Sequence, residues 1–138
     1  MKKLALMMIT AMITSLTFAQ KLHEKDVPAP VKASFQRNYP NIKEVKWDKE
    51  GEKFEASFYL NKIDNSVLFD AQGNLLESEI EIELNQLPKG VLEYVKANYK
   101  GQKVNEAAKI TDAKGKVTYE VEIKGMDILF DSNGKFIK

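Results

Sequence analysis

The sequence predicts an α+β fold made of two tandem copies of one unit. Each unit is a helix followed by a four-stranded antiparallel meander, with the helices packed on one sheet face and the other face open. Three observations carry this. The chain repeats itself: Val27, Pro28, Val31, Phe35, Asn38 and Tyr39 recur sixty positions later as Leu87, Pro88, Val91, Val95, Asn98 and Tyr99, and the run 67–76 recurs at a spacing of sixty-one as 128–137. Within each copy the apolar period changes from about four to two, the change that separates a helix from a half-buried strand. Asp-x-x-Gly segments at 48–51, 70–73, 112–115 and 131–134 punctuate the strands; the Asp can hydrogen-bond the turn backbone and the Gly tolerates positive φ. Two copies are fewer than the three or so that a solenoid needs, so the duplicate closes a single domain.

Taken from the N-terminus, residues 1–19 read as a signal peptide. Met1-Lys2-Lys3 is followed by an apolar run from Leu4 to about Leu16 and by Thr17-Phe18-Ala19, a small-residue cleavage pattern. The apolar run is shorter than the roughly 18–20 residues of a membrane span, so no span is expected once the leader is removed. The mature chain would begin at Gln20. It loses two lysines and no acid, which takes the formal charge from +1 to about −1.

The first unit is placed at residues 20–83, including a short N-terminal tail, and the second at 84–138. In the first, Asp26 can cap a helix that begins at Val27-Pro28, and Val27, Val31, Phe35 and Tyr39 form one apolar stripe. Strands follow near 42–48, 53–60, 65–70 and 75–83. In the second, the helical stripe is Leu87, Val91, Val95 and Tyr99, and residues 117–124 alternate as a strand. Phe54, Ala56, Phe58 and Leu60 share one strand face, with Glu55, Ser57 and Tyr59 on the other. Glu77, Glu79, Glu81 and Glu83 line one side of their strand and are expected to form a solvated face.

Composition narrows the function. The charge is close to balanced and Arg37 is the only arginine, so no basic field for a nucleic-acid backbone exists. There is no cysteine, which excludes thiolate chemistry and disulfides and leaves the fold to packing alone. His23, the only histidine, precedes the first helix in a terminal segment, a poor place for a catalytic imidazole. Asp131-Ser132-Asn133-Gly134 lacks the room for an EF-hand loop, because the sequence ends at Lys138. No motif selects a carboxylate pair for hydrolysis, and no cofactor is expected.

The leader, Val-Pro-x-x-Val-x-x-x-Phe-x-x-x-Tyr-Pro from Val27 to Pro40, the strand segment Val45-Lys46-Trp47, and Phe69-Asp70-x-x-Gly73, all but the leader duplicated, resemble the PepSY-like family of exported bacterial proteins. That resemblance covers residues 26–138 and implies a tandem, β-lactamase-inhibitor-like fold. It further implies a small periplasmic or secreted protein without catalytic residues, which binds an envelope or secreted protein across its open sheet face and hairpin tips. Inhibitors of that fold carry disulfides, which this chain cannot form.

The residues that suit such contact are Tyr59, on the polar side of its strand, Ile63 and Asp64 near one hairpin tip, and Met126 near the tip of the other. Trp47 is expected in the core beside Phe54 and Phe58. The alternative function is a small-ligand or cation-binding protein using the glutamate-lined face, with calcium as the test ion. The oligomeric expectation is a monomer or a weak homodimer through an edge strand.

Overall fold

The computed structural model describes residues 19–138, so the expected leader lies, apart from Ala19, outside the described residues. The strands β1 (Gln20–Leu22), β2 (Lys46–Glu50), β3 (Lys53–Leu60), β4 (Ile63–Phe69), β5 (Leu75–Glu81), β6 (Glu106–Asp112), β7 (Val117–Ile123) and β8 (Met126–Asp131) form one antiparallel sheet in chain order. Helix α1 (Ala29–Asn38) connects β1 to β2, and α2 (Val91–Asn98) connects β5 to β6. The duplicated α+β architecture predicted from the sequence is therefore present. Among the described residues no helix is long and apolar enough to cross a membrane.

The two meanders join into one sheet, because β5 pairs with β6 from Glu77↔Asp112 to Glu81↔Ala108. β5 stands to β6 as β1 stands to β2. Leu22 is opposite Trp47 in the first copy, and sixty positions later the Ile82 amide donates to the Ala107 carbonyl. Strand β5 thus ends the first meander and opens the second. β1 was expected to be a tail, since three residues carry no alternation from which a strand could be predicted.

Both helices start later than the stripe suggests. Val27 and Leu87 precede prolines, which disfavour helical backbone at the residue before them, and both remain extended at ψ 131° and 147°. A single 3₁₀ turn comes first in each copy, at Glu24–Asp26 and Leu84–Gln86. Asp26 is consequently in that turn and does not cap α1, whose first turn instead contains Pro30, where a missing amide hydrogen costs little. Strand β2 likewise begins at Lys46 rather than near 42.

Each helix lays its stripe on the same face of the sheet. Val31 and Phe35 of α1 pack on Trp47, Phe54, Ala56, Phe58, Val67 and Phe69, and Val91 and Val95 of α2 pack on Ala107, Val121, Ile123, Ile128 and Phe130. Full burial of side chains of this size stabilises by about 1.5–3 kcal/mol each. Trp47 is in the core as expected, edge-on to Phe35 with ring centroids 5.5 Å apart.

Turn chemistry fixes the remaining geometry. One oxygen of Asp70 accepts amides from Gln72 and Asn74 at 3.0 and 2.9 Å, and Asp112 and Asp131 repeat the pattern. Asp48 does not: it lies within β2, and the turn is Gly51-Glu52 because Glu50 already pairs with Lys53. Gly73 and Gly134 both sit at φ 83°, with an added Cβ placed 2.5 Å from the Pro30 carbonyl oxygen and 2.7 Å from that of Lys89. Each glycine lets a strand turn close against the start of its own helix.

Candidate functional site

A β-strand sends alternate side chains to opposite faces. The face opposite the helices therefore receives Asp48 and Glu50 from β2, Glu55, Ser57 and Tyr59 from β3, and Asp64, Ser66 and Leu68 from β4. From the second half it receives Glu77, Glu79 and Glu81 of β5, Ala108 and Ile110 of β6, Glu120 of β7 and Leu129 of β8.

The row from Glu77 to Glu83 was expected to be solvated; Glu83 is exposed and Glu77 and Glu81 are half-buried, but the middle of the face is buried. Glu79 is 2% exposed, and Glu55 and Glu120 are each 6% exposed. Leu68, Ala108, Ile110 and Leu129 are buried beside them. No helix among the described residues packs there, since α1 and α2 both lie on the opposite face. Carboxylates on β3, β5, β7 and β8 feel one another's charge. Period-two alternation tells which side a residue faces; it does not tell whether that side is wet.

The duplication places the acids in a regular way. Matching Ala56↔Val67 with Val121↔Ile128 sets Glu55 and Glu120 as counterparts, each opposite a leucine, Leu68 and Leu129 respectively. Glu79 lies between them on the shared strand β5, flanked across the sheet by Ser66 and Ile110. Neither oxygen of the Glu79 carboxylate has a hydrogen-bond partner, and one oxygen of Glu120 is also unpartnered.

These environments disfavour the charged forms. Burial, then the charges of Glu120, Glu55, Glu77 and Asp127, push the Glu79 carboxyl well above the ordinary carboxylate range. Burial followed by Glu50 raises Glu55 to about 7, against a hydrogen bond from Ser66 that pulls it down. Burial followed by Asp127, Glu77 and Glu122 raises Glu120 to about 8. Glu50, Glu77, Glu81 and Asp127 shift the same way, burial first in each. The face is a field of carboxyls whose charged forms are disfavoured, bordered by the aliphatic side chains of Leu68, Ile110 and Leu129.

At one end of this face the β3–β4 hairpin projects. Both strand hairpins turn on two residues of positive φ, Asn61-Lys62 at 54° and 68° and Lys124-Gly125 at 51° and 76°. Phe58 of the first corresponds to Ile123 of the second, both buried. The first hairpin then continues for two further pairs, Tyr59↔Asp64 and Leu60↔Ile63, about 7 Å of strand that the second lacks. The sequence carries this signal: fifteen positions separate Phe54 from Phe69, and only eleven separate their counterparts Tyr119 and Phe130.

Of the expected contact residues, Tyr59, Ile63 and Asp64 come together on this extension. Tyr59 is 58% exposed, and the neighbouring Asp64 charge raises its hydroxyl pKa. Ile63 points to the helix side opposite Leu60, and both are exposed because the hairpin runs past the end of the core. Leu60, expected in the buried stripe, thus joins the exposed group. Met126 is exposed on the other hairpin, opposite Ile123, with β5, β6 and β7 between its strand and β4. His23 is exposed, just before the first 3₁₀ turn.

A second apolar feature lies beside α2. Leu84 and Leu92 are exposed over a shallow groove of about 460 Å³ that also involves Val95, Tyr99 and Val104. The first copy has Glu24 and Lys32 at the positions of the two leucines.

Residues 16–77 and 52–138 each match the family described as "putative beta-lactamase-inhibitor-like, PepSY-like". Among solved structures, the chain is similar to a DUF2874-family protein from Bacteroides uniformis, with 25% identity over 80% of this chain and 86% of that one and a TM-score of 0.70. It shares its fold with one described as a putative periplasmic protein from Bacteroides eggerthii, at 17% identity, 81% and 86% coverage and a TM-score of 0.72. It also shares its fold with a BLIP-like protein from Bacteroides fragilis, at 23% identity, 80% and 84% coverage and a TM-score of 0.62. No curated protein matches the sequence. Two successive matches that together run from residue 16 to the last residue, on a sheet built from two copies of one unit, place this chain in the PepSY-like, β-lactamase-inhibitor-like family.

Proposed function

We propose that this is a non-enzymatic binding protein of the cell envelope, which holds a protein partner on the sheet face opposite its helices, with the β3–β4 hairpin at one end. The observation that carries the reading is the hairpin extension. It lifts Tyr59, Leu60 and Ile63 past the core and exposes an aromatic and two aliphatic side chains around Asp64. Rings and branched side chains of this kind anchor protein interfaces, and a bordering acidic field favours a partner with a basic contact patch.

The family description and the BLIP-like neighbour favour a protein as the ligand. They do not single out β-lactamase as the target, and this chain has no cysteine with which to build the disulfides of those inhibitors. Periplasmic location rests on the leader-like residues 1–19 and on the periplasmic description of a structural neighbour.

The test is partner capture from the native envelope fraction by residues 20–138. A variant carrying Tyr59→Ala, Leu60→Ser and Ile63→Ser should melt like the wild type and lose a partner that the wild type retains saturably. Equal retention by both proteins removes the hairpin from the interface.

A further inference from the structure

Glu79 has a place in the fold but no partner in it. It is 2% exposed, and both carboxylate oxygens lack a hydrogen bond. The charges that act most on it are those of Glu120, Glu55, Glu77 and Asp127, all carboxylates. A buried carboxyl in such company keeps its proton unless an opposite charge arrives to stabilise the ionised form.

We propose that the sheet face opposite the helices receives a primary ammonium on a slender methylene stem, with Glu79 as its counter-ion. This rests on the reading of that face as a contact surface, and it names the chemical group which that surface takes. Three features select the group. The target carboxylate is almost fully buried, so only a narrow side chain can reach it. Leu68, Ile110 and Leu129 share the face and offer aliphatic surface to a methylene stem. Glu55 and Glu120, disposed by the duplication on either side of β5, add negative potential from both directions.

A metal ion fits less well. Among the described residues no three Asp, Glu, His or Cys side chains are grouped so as to hold one, whereas a hard cation such as calcium takes six or more oxygens converging at about 2.3–2.6 Å. A guanidinium is broader, and its planar fork suits an open, bidentate carboxylate. The ammonium could come from a lysine of a partner protein or from a free polyamine, and the chemistry at Glu79 is the same.

The experiment uses residues 20–138 at a pH above about 8, where Glu120 ionises. Three probes are titrated at matched ionic strength: cadaverine, an acetylated and amidated lysine tripeptide, and calcium chloride. Thermal melting reports binding by linkage. Cadaverine and the lysine peptide should each raise the melting temperature saturably, and Glu79→Gln should weaken that binding about thirtyfold or more. Greater potency of the peptide points to a protein lysine as the natural group, and greater potency of cadaverine to a free polyamine.

Stabilisation by calcium without stabilisation by amines overturns the proposal in favour of a metal. Equal amine binding by the wild type and Glu79→Gln overturns it in favour of a diffuse acidic field, and no binding by any probe also overturns it. Should Glu79→Gln fail to fold, contacts between cadaverine methylenes and the methyls of Leu68 and Ile110 in the wild type, read by nuclear Overhauser effects, decide the same question. Hairpin-dependent partner capture is measured separately, so loss of the ammonium site leaves the broader binding reading to stand or fall by itself.

Discussion

The two copies share a backbone plan and differ in how they fill it. The first core is aromatic on both sides of the interface: Phe35 meets Trp47 and Phe58 edge-on, and Tyr39 lies 4.6 Å from Phe58. In the second copy Val95, Ala107 and Ile123 stand at the positions of Phe35, Trp47 and Phe58. Its large rings have moved to the helix and the chain end, where Tyr94, at the position of Ser34, packs on Phe130 and Phe136. The projecting hairpin belongs to the copy with the aromatic core, and the exposed leucines of the α2 groove belong to the other. Duplication supplied one scaffold, and divergence then gave each half its own surface.

Trp47 carries the largest expected difference between the copies. Trp47→Ala should lower stability by about 3–5 kcal/mol, read from urea unfolding. The reciprocal Ala107→Trp should also destabilise, by about 1–3 kcal/mol, because the second core has no space for the ring. A stabilising Ala107→Trp would mean that the second core is underfilled and the two cores are interchangeable.

Glu55 and Glu120 allow a comparison by pH. Both folded carboxyls hold a proton that the unfolded chain has already released. Their contribution is therefore fully present below about pH 4.5, and it is lost as pH rises through about 7 for Glu55 and about 8 for Glu120. Wild-type stability should fall from mildly acidic to alkaline pH. Above both values Glu55→Gln and Glu120→Gln should each stabilise, on the order of 3–5 kcal/mol. Flat stability across that range would show that the two acids ionise as exposed ones do.

The paired glycines sharpen the likeness between the copies. Gly73→Ala and Gly134→Ala should each cost about 1–3 kcal/mol, since both combine positive φ with a Cβ pressed on a backbone carbonyl. Matched losses in thermal melting identify the turn-to-helix contact as a property of the unit. A loss confined to one variant confines it to one copy. The smallest effect lies at the hairpin tips. Lys62→Gly gives the first tip the lysine-free positive-φ position that Gly125 already provides in the second, and it should stabilise by about 0.5–1 kcal/mol.

Much of this was legible before any coordinates. The α1 and α2 stripes, the alternation of β3, β5 and β7 and the Asp-x-x-Gly turns each report a local period or a local hydrogen bond, and local physics is what sequence patterns record. β1 is too short to alternate. Asp48-Lys49-Glu50-Gly51 looked like its three relatives but became a strand end, because cross-strand pairing with β3 decided the turn. The proline effect at Val27 and Leu87 could have been read, and it moves both helix starts. Tyr59 was readable as an exposed aromatic on a polar face. The burial of Glu79 was not, since it depends on which residues of β4 and β6 come to lie beside it, Ser66 and Ile110, and no run of residues encodes that in sequence order.

The shared strand β5 also governs how the molecule can be divided. A cut in the exposed stretch around Glu83 would sever one covalent link and leave the five ladder positions between β5 and β6 intact. The two fragments would each carry the edge that the other lacks, with Glu79 on one side of the join and Ile110 on the other. The protein is thus a natural candidate for fragment complementation, and the acidic face would be assembled only when the halves meet.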